Sequence, residues 1–98
     1  MTNKEAYRQK LEAQMREWSA KIDQMKARAD QLEAEAKIEY SKRIEDLRQR
    51  KEALQAQLTQ LKNAGDAAWE EVKAGVEKAK ADLKSAVESA AVKFKQLM

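Results

Sequence analysis

From Lys4 to Lys62 the chain contains neither proline nor glycine, and one stretch, Asn63-Ala64-Gly65-Asp66, is equipped to reverse its direction. Gly65 follows the last residue of an apolar pattern, where a glycine in the left-handed C′ conformation can end a helix. Asp66 is then placed to cap the next helix with its carboxylate. A chain punctuated in this way reads as two helical arms of unequal length. Ala, Glu, Lys, Gln and Arg dominate, and no run alternates with period two over β-branched residues, so a sheet is excluded. Residues 1–98 form a single all-α domain.

The long arm opens with Thr2-Asn3-Lys4-Glu5, which has the spacing of a capping box. Its apolar residues then fall at Tyr7, Leu11, Met15, Trp18, Ile22 and Met25, thin to Ala29, Leu32 and Ala36, and resume at Tyr40, Ile44, Leu47, Leu54, Leu58 and Leu61. The steps are mostly threes and fours, the seam of a coiled coil, with 4-4-3 stutters that unwind the supercoil locally. One helix over about 3–62 is expected, roughly 88 Å long at 1.5 Å per residue. Five acid–base pairs four apart, Glu12–Arg16, Glu17–Lys21, Glu33–Lys37, Glu39–Arg43 and Asp46–Arg50, support it by a few tenths of a kcal/mol each. The thin middle at Ala29 and Ala36 admits either close approach of a second helix or a bend. Lys51 interrupts the seam as a lysine able to snorkel. Ala6, Ala13, Ala20, Ala27 and Ala34 recur every seven on the opposite side, as helix formers or as a shallow second packing face.

The short arm, 67–97, places Val72, Leu83 and Phe94 eleven apart, a hendecad pattern. Alone it would be a marginal helix, because helices draw most of their stability from a packed face. Folding back antiparallel buries Trp69, Val72 and Val76 against Leu61, Leu58 and Leu54. The expected architecture is an elongated antiparallel coiled-coil hairpin with its tight turn at 63–66 and a mixed heptad/hendecad seam. A rival reading continues one helix through Gly65, since Leu61, Gly65, Trp69 and Val72 keep the 4-4-3 phase. Gly75 either permits close approach or is neutral. The hairpin leaves Tyr7, Leu11, Met15, Trp18, Ile22 and Met25 as an exposed stripe, which predicts a homodimer or higher homo-oligomer with paired overhangs.

Composition narrows the chemistry. There is no Cys and no His, which removes disulfides, thiol chemistry and imidazole ligands, and the two glycines are isolated, so no loop cradles phosphate. Neighbouring carboxylates such as Glu70-Glu71 and Glu45-Asp46 point about 100° apart on a helix and form no dyad. No catalytic residue, cofactor or metal site is expected, and an enzyme is not. Twenty basic against seventeen acidic residues leave only +3. The patch of Lys42, Arg43, Arg48, Arg50 and Lys51 is broken by Glu45, Asp46 and Glu52, which disfavours nucleic acid as a partner. A membrane surface is a further possible partner through the Val/Ala face of 66–98, although that helix is neutral and light in large apolar residues. Without an apolar leader or an 18-residue apolar run, a cytoplasmic location is expected.

The run Ile38-Glu39-Tyr40 leading to Ile44-Glu45-Asp46-Leu47, followed by Ala64-Gly65-Asp66-Ala67-Ala68-Trp69-Glu70-Glu71-Val72-Lys73-Ala74-Gly75-Val76-Glu77, resembles a set of short bacterial coiled-coil proteins. These share a long opening helix, a Gly-Asp-x-x-Trp-Glu junction and an Ala/Lys-rich tail ending near Phe94. The resemblance covers nearly the whole chain, and the junction is its distinctive part. It implies a bacterial cytoplasmic structural or stress-associated protein, while the exposed stripe itself leads to the expectation of self-assembly or of an unknown protein partner. It brings no catalytic or cofactor residues to carry over.

Overall fold

The long seam does not form one rod. In the computed structural model, which describes residues 3–97 (side chains through Lys95), it divides into α1 (Asn3–Ala29) and α2 (Ala34–Asn63), followed by α3 (Asp66–Leu97). The two-helix hairpin with a short second arm is therefore wrong: there are two reversals, and α3 is the longest helix at 32 residues. The described chain measures 51 × 20 × 17 Å. A helix of 27–32 residues is about 40–48 Å long, so that length is one helix and not the 88 Å rod. Thr2, and with it the capping box, lies outside the described residues.

The missed corner, Asp30-Gln31-Leu32-Glu33, holds three ordinary helix formers and one residue, Asp30, of low helix propensity. At the end of α1 the hydrogen bonds tighten from Asp30 N–H to the Lys26 carbonyl (3.0 Å) to a three-residue spacing, Gln31 to Arg28 (3.0 Å) and Leu32 to Ala29 (3.1 Å). This is the 3₁₀ closure by which a helix end satisfies its last carbonyls. Lys26 and Arg28 in the last turn complement its dipole. Ala29 is buried and Leu32 packs on the core, so the bend falls where the seam is thin. Glu33 stands at the N-cap of α2 with φ −78° and ψ 163°, the right backbone for a cap, but its side chain bonds no helix amide. Glu33→Ser should supply the missing acceptor and raise unfolding stability by about 0.5–2 kcal/mol. Chemical denaturation measures this directly, and a loss of stability would show that the corner does not need a cap.

The second reversal is tighter and does not use glycine as expected. Ala64 closes α2 in extended geometry (φ −75°, ψ 135°), its N–H reaching the Leu61 carbonyl at 3.3 Å. Among the described residues no glycine has positive φ, so Gly65 is not a left-handed C′ residue. Its carbonyl instead accepts the Ala68 N–H at 3.1 Å, which puts it at the N-cap of α3. Asp66 is the first residue of α3, and its carboxylate pairs with the Lys4 ammonium rather than capping the helix. An uninterrupted helix through Gly65 is also excluded. At Gly75 a Cβ would stand 3.0 Å from the Gln57 side-chain oxygen, so the absent side chain is replaced by a movable amide from α2.

The result is an up-down-up three-helix bundle. Glu12 pairs with Lys62 at 3.3 Å and Ser19 accepts from Lys51 at 3.2 Å, so α1 and α2 run antiparallel. Lys4 meets Asp66 and Tyr7 meets Trp69, so α1 and α3 run parallel. One core runs the length of the molecule, with Leu54, Leu83 and Val76 fully buried. It contains the stripe assigned to an oligomer overhang: Leu11, Met15, Trp18, Ile22 and Met25 are buried within the chain, with Tyr7 packed at the edge. Each such side chain contributes about 1.5–3 kcal/mol on burial, whereas fixing each corner residue costs about 1–2 kcal/mol. Five large side chains against four corner residues favour the fold-back. Once α1 folds back there is no overhang to pair.

Candidate interaction groove

The two ends of the α1–α3 contact are built differently. At the closed end, Lys4 and Tyr7 lie three apart on α1 and meet Asp66 and Trp69, three apart on α3. Tyr7 meets Trp69 edge-on, with centroids 5.9 Å apart and planes at 72°. Lys73 Nζ sits 5.0 Å from the Tyr7 ring centroid and 5.1 Å from that of Trp69, while Lys4 Nζ lies 5.4 Å from the latter. The Tyr7 hydroxyl donates to the Glu77 carboxylate. Lys4 also holds the Asp66 carboxyl below its usual range, so that ion pair is lost as the solution is acidified through that carboxylate's titration.

Burial, then the hydrogen bond to Glu77 and the charge of that carboxylate, raise the Tyr7 pKa well above the ordinary tyrosine range. A raised folded-state pKa gives stability that is full below the unfolded pKa, about 10, and declines as pH climbs beyond it. Between about pH 9.5 and 11 the wild-type denaturation midpoint should therefore fall more steeply than that of Tyr7→Phe. Parallel slopes would show that the hydroxyl is not linked to folding.

At the other end the α1–α3 line has no aromatic pair to fill it, and small Ala91 stands there. A groove of about 260 Å³ opens between Lys21, Gln24, Met25 and Arg28 of α1 and Val87, Glu88, Ala91, Phe94 and Lys95 of α3. The α1 residues follow the spacing i, i+3, i+4, i+7, and those of α3 i, i+1, i+4, i+7, i+8, so each set shares one face. Met25, Val87 and Phe94 belong to the core and present their outer edges as the floor. Phe94 is held from behind by Tyr40 of α2, at 4.0 Å between centroids. Lys21, Arg28 and Lys95 are exposed, and none has an acidic partner among the described residues. Glu88 is the one carboxylate in the lining.

A larger cleft, about 440 Å³ between α1 and α2, lacks this character. Its lining balances Glu12 and Glu52 against Arg16 and Lys51, with Glu12 already paired to Lys62 and Lys51 to Ser19. Half-buried Lys51 thus spans the α1–α2 seam to a hydroxyl. In the basic patch of α2, Arg43 pairs with Glu39 at 3.5 Å and Arg50 with Asp46 at 2.9 Å. Among the described residues no three carboxylates gather where they could hold a metal ion, and no helix is long and apolar enough to cross a membrane.

The residues singled out in the sequence are distributed as follows. Leu54, Leu58, Leu61, Trp69 and Val76 are buried in the core, with Val72 half-buried against it. The α3 face considered for a lipid surface, including Leu83, Val87 and Phe94, is turned into the same core. Ala6, Ala13, Ala20, Ala27 and Ala34 are all exposed, so the second packing face is not used within the chain. Met25 alone among the stripe residues also lines the groove. Sequence reasoning missed Lys21, Arg28, Ala91 and Lys95. The sequence carries no signal for them, because the constant offset of 62 from Lys4 to Asp66 and from Tyr7 to Trp69, which carries Met25 to Val87, is visible only once α1 and α3 lie side by side. Comparisons with protein-family models, with curated proteins and with solved structures gave no match.

Proposed function

We propose that this chain is a non-enzymatic helical interaction module that holds a protein partner in the α1–α3 groove. The observation that carries this reading is a groove with apolar edges at its floor and, on its rim, three cations without an acidic partner among the described residues, at the end of the bundle where α1 and α3 leave a gap. Apolar surface supplies the attraction and a one-signed rim supplies orientation and partner choice. A bacterial cytoplasmic setting and a structural or stress-associated role, which the resemblance to short bacterial coiled-coil proteins supports, are part of the proposal. The test is photo-crosslinking in cells from a reactive residue at Ala91 or Lys95, with Ala13 and Ala20 as controls on an exposed face of α1. Discrete adducts to another protein from the groove positions, absent from the controls, support the reading. Equal labelling from both faces, or adducts to the same chain alone, overturns it.

A further inference from the structure

Resting on that reading, we infer that the groove takes an acidic amphipathic helix about two turns long from a partner protein, laid between α1 and α3 as a fourth helix. Shape comes first. The lining extends from Lys21 to Arg28 on α1 and from Val87 to Lys95 on α3, about 10 and 12 Å of parallel helix. Enclosed small-molecule sites usually span about 300–1,000 Å³, and this groove, at about 260 Å³, is smaller and open along its length. It suits a row of side chains better than a whole ligand. Parallel neighbours with a furrow between them are what an antiparallel helix completes into a four-helix bundle.

Charge then selects among helices. Within the lining, Lys21, Arg28 and Lys95 stand against the single carboxylate of Glu88, and none of the three has an ion-pair partner among the described residues. A second copy presenting the same groove would oppose cation to cation, so self-pairing through this face is disfavoured. Exposed Val92 adds apolar surface beside the rim. It lies about 40° beyond Glu88 on the helical wheel, and it is one of two large hydrophobic residues exposed among those described. The occupant should carry apolar residues at i, i+3 or i+4, and i+7, with Glu or Asp on both flanks.

The probe is a stapled helical peptide of about fourteen residues with Leu at those positions and Glu on the flanks, stapled because so short a helix is marginal in water. It is titrated into the full chain while backbone amide shifts are followed. Saturable shifts confined to 21–28 and 87–95 are expected. Affinity should fall at least about tenfold in Lys21→Glu/Arg28→Glu/Lys95→Glu, whose positions are exposed and leave the core intact. A Lys-flanked version of the peptide should bind that triple variant better than it binds the wild type. Equal binding of the Glu- and Lys-flanked peptides, or shifts scattered outside the groove, overturns the inference. So does saturation of the same residues by dodecanoate or anionic vesicles with no response to the peptide, which would reassign the groove to a lipid. If the Glu peptide fails while groove-specific crosslinks to a protein are found, the occupant's chemistry is wrong and the interaction module stands. If both fail, both fall.

Discussion

Ile22→Ala is expected to lower unfolding stability by about 2–5 kcal/mol, by the same amount at every protein concentration. Ile22, within the α1 stripe, is 1% exposed, so truncation removes buried methyl groups and leaves a cavity that the bundle closes only in part. Domains of this size carry about 5–15 kcal/mol in total, so the variant should lose a large share of it. Ala20→Ser, two residues away on the exposed face, should stay within about 0.5 kcal/mol. Urea denaturation of both, over about a hundredfold range of concentration, separates intrachain from interchain packing. A loss that grows on dilution would mean that Ile22 is buried against another copy. A loss under about 1 kcal/mol would mean that α1 is not part of the core.

That outcome turns on the corner at 30–33, and its invisibility in the sequence has a physical reason. Most reversals show themselves by a residue that disfavours helix or by a side chain that caps the next one. Here Asp30 alone disfavours helix, within a segment otherwise made of helix formers, and Glu33 holds the N-cap backbone without a capping bond. What selects the bend is tertiary: α1 gains a buried face only by folding back, and Ala29 and Leu32 are small or peripheral enough to let it turn there. The thin middle of the seam was therefore the signal, and it was ambiguous on its own. Ile44, Leu47, Leu54, Leu58 and Leu61 were legible because a core-facing stripe keeps its period whichever helix it meets. For the same reason the period could not say whether Trp18 and Ile22 face a partner in the same chain or in another.

Gly65 shows the opposite error. A glycine at a chain reversal invites a left-handed assignment, yet the junction closes through an extended Ala64 and a Gly65 that takes the N-cap. The groove was the least legible feature. It is not a property of any one helix, since it comes from pairing aromatic residues at one end of two parallel helices and Ala91 at the other. Only the parallel register of α1 and α3 brings Lys21, Arg28 and Lys95 around one floor, and a two-helix reading never sets those helices side by side.

Trp69→Ala should be as damaging as any core truncation, at about 3–5 kcal/mol, and its effects should be uneven along the molecule. Trp69 is 8% exposed, and its ring takes the edge of Tyr7 with Lys4 and Lys73 over it. Removing the ring leaves Tyr7 packed against a void, deprives Lys4 of its aromatic face and leaves Lys73 with the Tyr7 ring alone. The first two turns of α1 should lose amide protection before residues 40–61, which α3 still covers from Val76 onward. Trp69→Phe keeps an apolar ring there and should recover most of the loss. A cycle combining Trp69→Ala with Tyr7→Leu should return a coupling of about 0.5–1.5 kcal/mol for the edge-on pair. Zero coupling would show that the two rings pack independently. The cluster also sets the groove from a distance, because Tyr7 and Met25 are about 27 Å apart along one helix. With the closed end loosened, α1 no longer keeps a fixed spacing from α3, and the acidic peptide should bind Trp69→Ala more weakly than Trp69→Phe although neither substitution touches the groove. Equal affinity in the two would mean that the corner at 30–33, rather than the aromatic end, holds the groove open.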